Sequence, residues 1–311
     1  MVSLASKIHA NLTKASEDVE YSVPDLIMLD IEDGVGLEEK DKARENISRH
    51  LREGGVFEEY RRVLGKNIGV RINRYADRNF YNQADVDLIR GLKGQIDFIC
   101  LPKLENEKCL LEFMDNQVKD DVKLIGMTES PMGLLNMKRV LEVAAERNFQ
   151  LDGMIFGSDD YCAELGIVRS RENTEIEFAR QLFLTTCKAF GKLAIDMVEI
   201  NINDTEKVLS DSRKSSMQGF DGRQCIHPFQ ISSINQGYSP TREQLDYARL
   251  VHSACADRLK QSLHVKSEVD LDAFKVDDLM IDKPTILQSR RILERNQLIE
   301  RAGHPTTHGG G

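Results

Sequence analysis

The sequence carries none of the short motifs that mark the commonest cofactor and nucleophile chemistries. Neither GxGxxG nor GxxxxGK[ST] occurs, which disfavours NAD and ATP chemistry, and no GxSxG elbow is present to support a Ser-His-Asp triad. The six cysteines, at positions 100, 109, 162, 187, 225 and 255, form no CxxC and no zinc-type spacing. Cys100, Cys162 and Cys225 lie in or beside apolar strand-like runs, so the set reads as buried free thiols of a reducing compartment. No apolar stretch approaches the roughly 20 residues of a membrane span. The opening segment MVSLASKIHANLTKASEDVE is neither apolar enough for a signal peptide nor Arg-rich and acid-free like a transit peptide. An excess of positive charge is also missing: the net charge of −9 argues against a nucleic-acid surface. Local Arg, Lys or a metal ion can still receive an anionic substrate on an acidic protein.

What the chain does have is regular alternation. At 311 residues with 41% hydrophobic content it is long enough for one large core. Short apolar runs at 25–32, 67–73, 97–103, 123–129, 152–159, 193–200 and 223–226 read as strands. Helical periods at 37–51, 84–92, 106–116, 133–147, 174–190, 204–217 and 241–263 separate them, with Gly191 and Gly219 as stop signals. About seven strands alternating with helices predict a parallel α/β sheet. Residues 1–263 are expected to form this domain, 264–303 a linker or extended arm with a terminal helix, and 304–311 a disordered tail. Seven strands are one short of a closed eight-stranded barrel. Residues 4–14 read as a helix with no strand ahead of it, as if the first strand were missing.

The most informative stretch is Leu151–Gly166, LDGMIFGSDDYCAELG, in which an apolar run ends at Gly157 and delivers Asp159 and Asp160. One strand earlier, KLIGMTESPMG delivers Glu129 in the same way. Acids at strand ends can simply cap the helices that follow. Two carboxylates at the ends of neighbouring parallel strands can also face one another across a barrel mouth, where a hard cation such as Mg²⁺ relieves their repulsion. The DIEDG stretch adds Asp30, Glu32 and Asp33, as a solvated turn or as part of the site. Arg71 finishes the strand VRIN, where packing gives it no purpose, and its planar fork suits a carboxylate or the oxygens of an enolate; Asn73 could assist it. Lys103 in LPKLE suits a substrate role or a snorkelling side chain with a salt bridge. Cys225-Ile226-His227-Pro228 lacks a third group to orient the histidine and reads as a structural loop. Asp282 in LMIDKP, just ahead of Pro284, is by composition a helix cap.

Taken together, DLIMLDIEDGV, VRIN, ICLPKLE, the Glu129 segment, FGSDDYCAELG, AIDMVEI, GFDGRQCIHPFQI and LMIDKP occur in the order found in citrate lyase beta-subunit-like proteins. The chain resembles this family of metal-dependent aldolases and CoA-ester lyases over about residues 20 to 295, and within it looks most similar to the citramalyl-CoA lyase branch. The resemblance implies a TIM-type (β/α)8 barrel, here without its first strand, and usually a homotrimer. It implies Mg²⁺ held by Glu129 and Asp160, a CoA thioester substrate bound by Arg71, and catalysis by Arg71 and by Asp282 from a neighbouring subunit; Glu32, Asp33 and Lys103, from the reading of the residues, are the further candidate substrate-binding groups. Cleavage of citramalyl-CoA to acetyl-CoA and pyruvate is the implied reaction. Malyl-CoA or glyoxylate chemistry, or an inactive partner in an oligomer, are the alternatives. A mitochondrial location follows from the resemblance, a cytoplasmic one being the alternative.

Overall fold

A computed structural model of the chain describes residues 23–301, apart from 53–54, 66, 75–80, 117–121, 262–266, 269–270 and 277–278. The helix expected at 4–14 and the tail at 304–311 lie outside the described residues. Among the described residues, seven parallel strands form one sheet in strict chain order: β1 (Leu26–Asp30), β2 (Asn67–Arg71), β3 (Phe98–Leu101), β4 (Lys123–Thr128), β5 (Leu151–Phe156), β6 (Leu193–Asp196) and β7 (Gly222–Arg223). All seven were readable as apolar runs, although each ends one to four residues before the run does. The residues past the strand ends leave the sheet to build loops.

Strict sequence order constrains the shape. Each strand pairs only with the next, and a parallel crossover in one sheet is right-handed. Every connecting helix therefore packs on the same face, and the opposite face curls inward, as in a half-barrel. Strand alternation assigns side chains to the two faces. Leu26, Met28, Phe98, Cys100, Ile125, Met127, Ile155 and Ile195 cluster on the inner face. Gly69 makes room for this layer, because a Cβ there would lie 2.4–2.5 Å from the Phe98 carbonyl and ring.

The outer face carries α1 (Lys40–Leu51), α2 (Val56–Leu64), α3 (Gln83–Gly91), α4 (Glu107–Asn116), α5 (Pro131–Glu146), α6 (Ser158–Leu165), α7 (Glu177–Ala189) and α8 (Thr205–Gln218). Their starts follow capping chemistry: Asn82, Ser130 and Asp204 accept backbone N–H bonds at the heads of α3, α5 and α8. Asp196, on the outer face of β6, is fully buried and takes Nε and Nη2 of Arg180 on α7 at 3.0 and 2.5 Å and the Ser215 hydroxyl on α8 at 2.6 Å. One carboxylate thus ties a strand to two helices.

The chain divides into two compact units between Ile234 and Asn235, within α9 (Ile231–Tyr238). The second unit holds α10 (Arg242–Gln261), an antiparallel hairpin of β8 (Phe274–Val276) and β9 (Leu279–Ile281), and α11 (Lys283–Arg301). Val251, Cys255, Leu271, Ile281 and Ile286 form its core. Helix α10, read from the sequence as part of the strand-bearing domain, groups with the C-terminal elements. The hairpin lies where a linker and the start of a helix were expected. Its strands are three residues long, too short for alternation to show. All six cysteines are free, as expected, and five are buried.

Candidate active site

Six of the side chains singled out in the sequence, Glu32, Asp33, Arg71, Lys103, Glu129 and Asp160, lie at or just past the carboxyl ends of β1 to β5. The strand ladder continues past the formal strand ends, through Ile31 N–H to the Arg71 carbonyl at 3.1 Å and Ile72 N–H to the Cys100 carbonyl at 3.3 Å. These bonds hold the emerging loops in register. Asp30 and Arg71 are register partners on adjacent strands and both project from the inner face. Arg71 donates through Nε and Nη2 to the two Asp30 oxygens, each at 2.7 Å, a bidentate pair. Its third nitrogen, Nη1, lies 3.2 Å from Glu32 Oε2. The fork is therefore turned to the protein's own acids, and the resulting charge support holds the guanidinium firmly protonated against burial.

Lys103 sits at the centre. Its backbone N–H donates to Glu129 Oε2 at 2.6 Å. Its ammonium bonds Glu32 Oε1 and, at 2.8 Å, Asp33 Oδ2, and lies 3.4 Å from Asp160 Oδ2. Among the described residues, Lys103 is one of three non-glycine residues with positive φ, at 50°. Arg74, buried, bonds the Lys103 carbonyl and holds the residue in that conformation. Burial acts to raise the Asp33 carboxyl, but the Lys103 ammonium outweighs it and holds the group below the usual range.

Glu129 is 6% exposed at the end of β4. Burial first, and then the negative charges of Glu32 and Asp160, push its carboxyl up to about 7, against the pull of the Lys103 N–H. Glu32, 3% exposed, is likewise raised by burial. Gly157, at the end of β5, makes room for Glu129: a Cβ there would meet Glu129 Cγ at 2.4 Å. The two neighbouring acids of α6 are sorted by their partners. Asp159 is held at 2.7 Å by Arg169, which also donates to the Ser158 hydroxyl, Asn173 Oδ1 and the Val198 carbonyl. Asp160 is left facing Lys103, with its side chain 43% exposed.

Glu32, Asp33, Arg71, Lys103, Glu129 and Asp160 thus form one connected cluster. Asn73 serves structure instead, bonding Asp85 and the Ile31 carbonyl. Cys225 and His227 form no dyad: the thiol donates to the His227 carbonyl, and the imidazole accepts the Phe229 N–H, as in an ordinary loop. Asp282 lies in the second unit, where its Oδ1 accepts the Thr285 N–H and hydroxyl at 3.0 and 2.7 Å, the capping role its composition suggests. Those bonds, the hydroxyl's first, hold its carboxyl low. Sequence reasoning passed over Arg74 and Arg169. Each fixes a site residue from behind, and no local pattern marks such a role.

Among the described residues no three His, Cys, Asp or Glu side chains form a metal cage. Mg²⁺ does not require one, since it usually takes one or two carboxylates and completes its shell with water and substrate oxygens. The cluster contains carboxylates of that kind, and the negative charges of Glu32 and Asp160 act on Glu129.

Acids and cations gathered at the carboxyl ends of sequential parallel strands define an α/β half-barrel with an enzyme-type site. The chain matches the HpcH/HpaI aldolase/citrate lyase family over residues 8–228 and belongs to it. It is 30% identical over 285 residues to the mitochondrial citramalyl-CoA lyase of Mus musculus, covering 86% of this chain and 78% of that one. It is 29% identical over 298 residues to the citrate lyase subunit beta of Escherichia coli K12, covering 93% and 91%. Among solved structures, the CitE protein of Mycobacterium tuberculosis in complex with magnesium, acetoacetate and coenzyme A superposes with a TM-score of 0.68 at 25% identity, covering 93% of this chain and 95% of that one. As a member of this family the chain is a carbon–carbon lyase.

Proposed function

We propose that the protein cleaves citramalyl-CoA to acetyl-CoA and pyruvate in a Mg²⁺-dependent retro-aldol reaction. The observation that carries this reading is the convergence of Glu129 and Asp160 on Lys103, in a cluster that contains Arg71. Magnesium and coenzyme A in the CitE complex, and the name of the mouse relative, point the same way. Glu129 and Asp160 would hold the ion. When bound, it supplies Lewis acidity toward the hydroxyl and carboxylate of the substrate.

The residues of the chain account for the rest. Arg71, its orientation fixed by Asp30, places a permanent positive charge where negative charge grows as the bond breaks. The hydroxyl gives up its proton, the carbon–carbon bond opens, and the electron pair passes to the acetyl-CoA carbon, which takes a proton. Asp282 of a neighbouring subunit in a homotrimer is the proposed proton carrier. The seven described strands would then belong to a TIM-type barrel. The mitochondrial name of the mouse relative supports the same compartment for this chain.

Purified protein assayed with citramalyl-CoA and Mg²⁺ tests the reading. Release of pyruvate that stops on adding a chelator is expected. Folded protein with no turnover would overturn it, and faster turnover of malyl-CoA would reassign the substrate, a difference of one methyl worth about 1–3 kcal/mol.

A further inference from the structure

The ammonium of Lys103 stands in the middle of the acids that the proposed function gives to a divalent cation. It contacts Glu32 and Asp33 and lies 3.4 Å from Asp160. Lys103 also adopts the left-handed backbone region, at φ 50°, which an L side chain enters at a cost. Two bonds keep it there: Arg74 to its carbonyl, and its own N–H to Glu129 at 2.6 Å. A residue held in a costly conformation with its charge aimed into a cluster of carboxylates is placed for a purpose. Arg71, the other cation of the cluster, is bound in a bidentate pair to Asp30, so Lys103 is the cation that faces Asp160.

We infer that Lys103 is a tethered counter-cation: its ammonium neutralises Glu32, Asp33 and Asp160 in the metal-free protein, and a divalent ion must displace it from Asp160 to bind. This rests on the Mg²⁺ site proposed above and adds what sets its affinity. The backbone N–H of Lys103 holds Glu129 and the side chain opposes the metal, so one residue builds the site and restrains it. Two consequences follow. Metal binding is weaker than the carboxylates alone would give, because a positive charge about 4–6 Å from an incoming cation is repelled. The metal-free fold also depends on the ammonium, because without it Asp33 and Asp160 lose this cationic partner while Glu32 keeps Arg71.

Lys103→Met separates these roles. Methionine keeps the backbone N–H and meets the same cost at positive φ, so charge is the main change. Lys103→Arg keeps the charge. Calorimetric titration of the chelator-treated full chain with Mn²⁺ and Mg²⁺ gives the affinity, and thermal unfolding in chelator gives the metal-free stability. For Lys103→Met, dissociation constants at least ten-fold lower than wild type are expected, with a lower metal-free Tm that added Mg²⁺ restores. Lys103→Arg should stay within about three-fold of wild type. Unchanged or weaker binding by a folded Lys103→Met protein overturns the inference, as does an unchanged metal-free Tm. If Lys103→Met does not fold, Lys103→Arg still tests the inference: affinity shifted more than ten-fold, with the charge kept, overturns it. If wild type binds no metal, the site itself fails, which is a different result from wild-type binding that ignores Lys103.

Discussion

Replacing Glu129 by Gln should make the metal-free protein more stable at alkaline pH. The folded carboxyl titrates at about 7 against 4.5 for an ordinary glutamate. In that window the folded state holds a proton that the unfolded state has released. Stability therefore falls as pH rises from about 4.5 to about 7 and levels off above, where both states are ionised. Below about 4.5 both are protonated and the penalty is absent. A separation of about 2.5 units at about 1.4 kcal/mol each gives a full penalty of about 3 kcal/mol. Glutamine is uncharged, is close in shape, and can still accept the Lys103 N–H. It should therefore relieve the penalty at pH 8 and leave stability nearly unchanged at pH 4.5. Glu32, also raised by burial, gives both proteins a further slope of the same sign. Urea unfolding of both proteins in chelator at pH 4.5, 6 and 8 measures the difference. Parallel curves, or a variant less stable than wild type at pH 8, would refute the reasoning.

Other perturbations probe the surrounding parts. Gly157→Ala places a methyl 2.4 Å from Glu129 Cγ, and it should weaken Mg²⁺ binding at least ten-fold in a titration with little change in Tm. Asp196→Asn breaks the buried tie among β6, α7 and α8 and should cost about 3–5 kcal/mol in urea unfolding, with metal affinity retained by whatever fraction folds. Asp282→Asn should lower citramalyl-CoA turnover at least a hundred-fold with Mg²⁺ affinity unchanged; wild-type turnover would remove Asp282 from the reaction.

The sheet could be read from the chain because each strand is a nearly continuous apolar run flanked by turn residues, as buried parallel strands are. The acids could be read because Glu129, Asp159 and Asp160 stand at the ends of such runs. What could not be read is which charge meets which. Asp159 and Asp160 are chemically identical neighbours, and only Arg169 of a later loop separates a held acid from a facing one. Lys103 looked like a residue with two equal uses, because a positive φ and a distant arginine on its carbonyl leave no local trace. The fork of Arg71 was expected to await a substrate; its pairing with Asp30 depends on a register between strands about forty residues apart. The hairpin of the second unit escaped notice because three-residue strands have no period.

Crystals of the protein grown with Mg²⁺ and pyruvate test the site most directly. One ion with oxygens of both Glu129 and Asp160 at about 2.1 Å, and the Lys103 ammonium moved away from Asp160, is the expected result. An ion bound elsewhere, or the two carboxylates directed away from any shared atom, would contradict the chemistry proposed for this lyase.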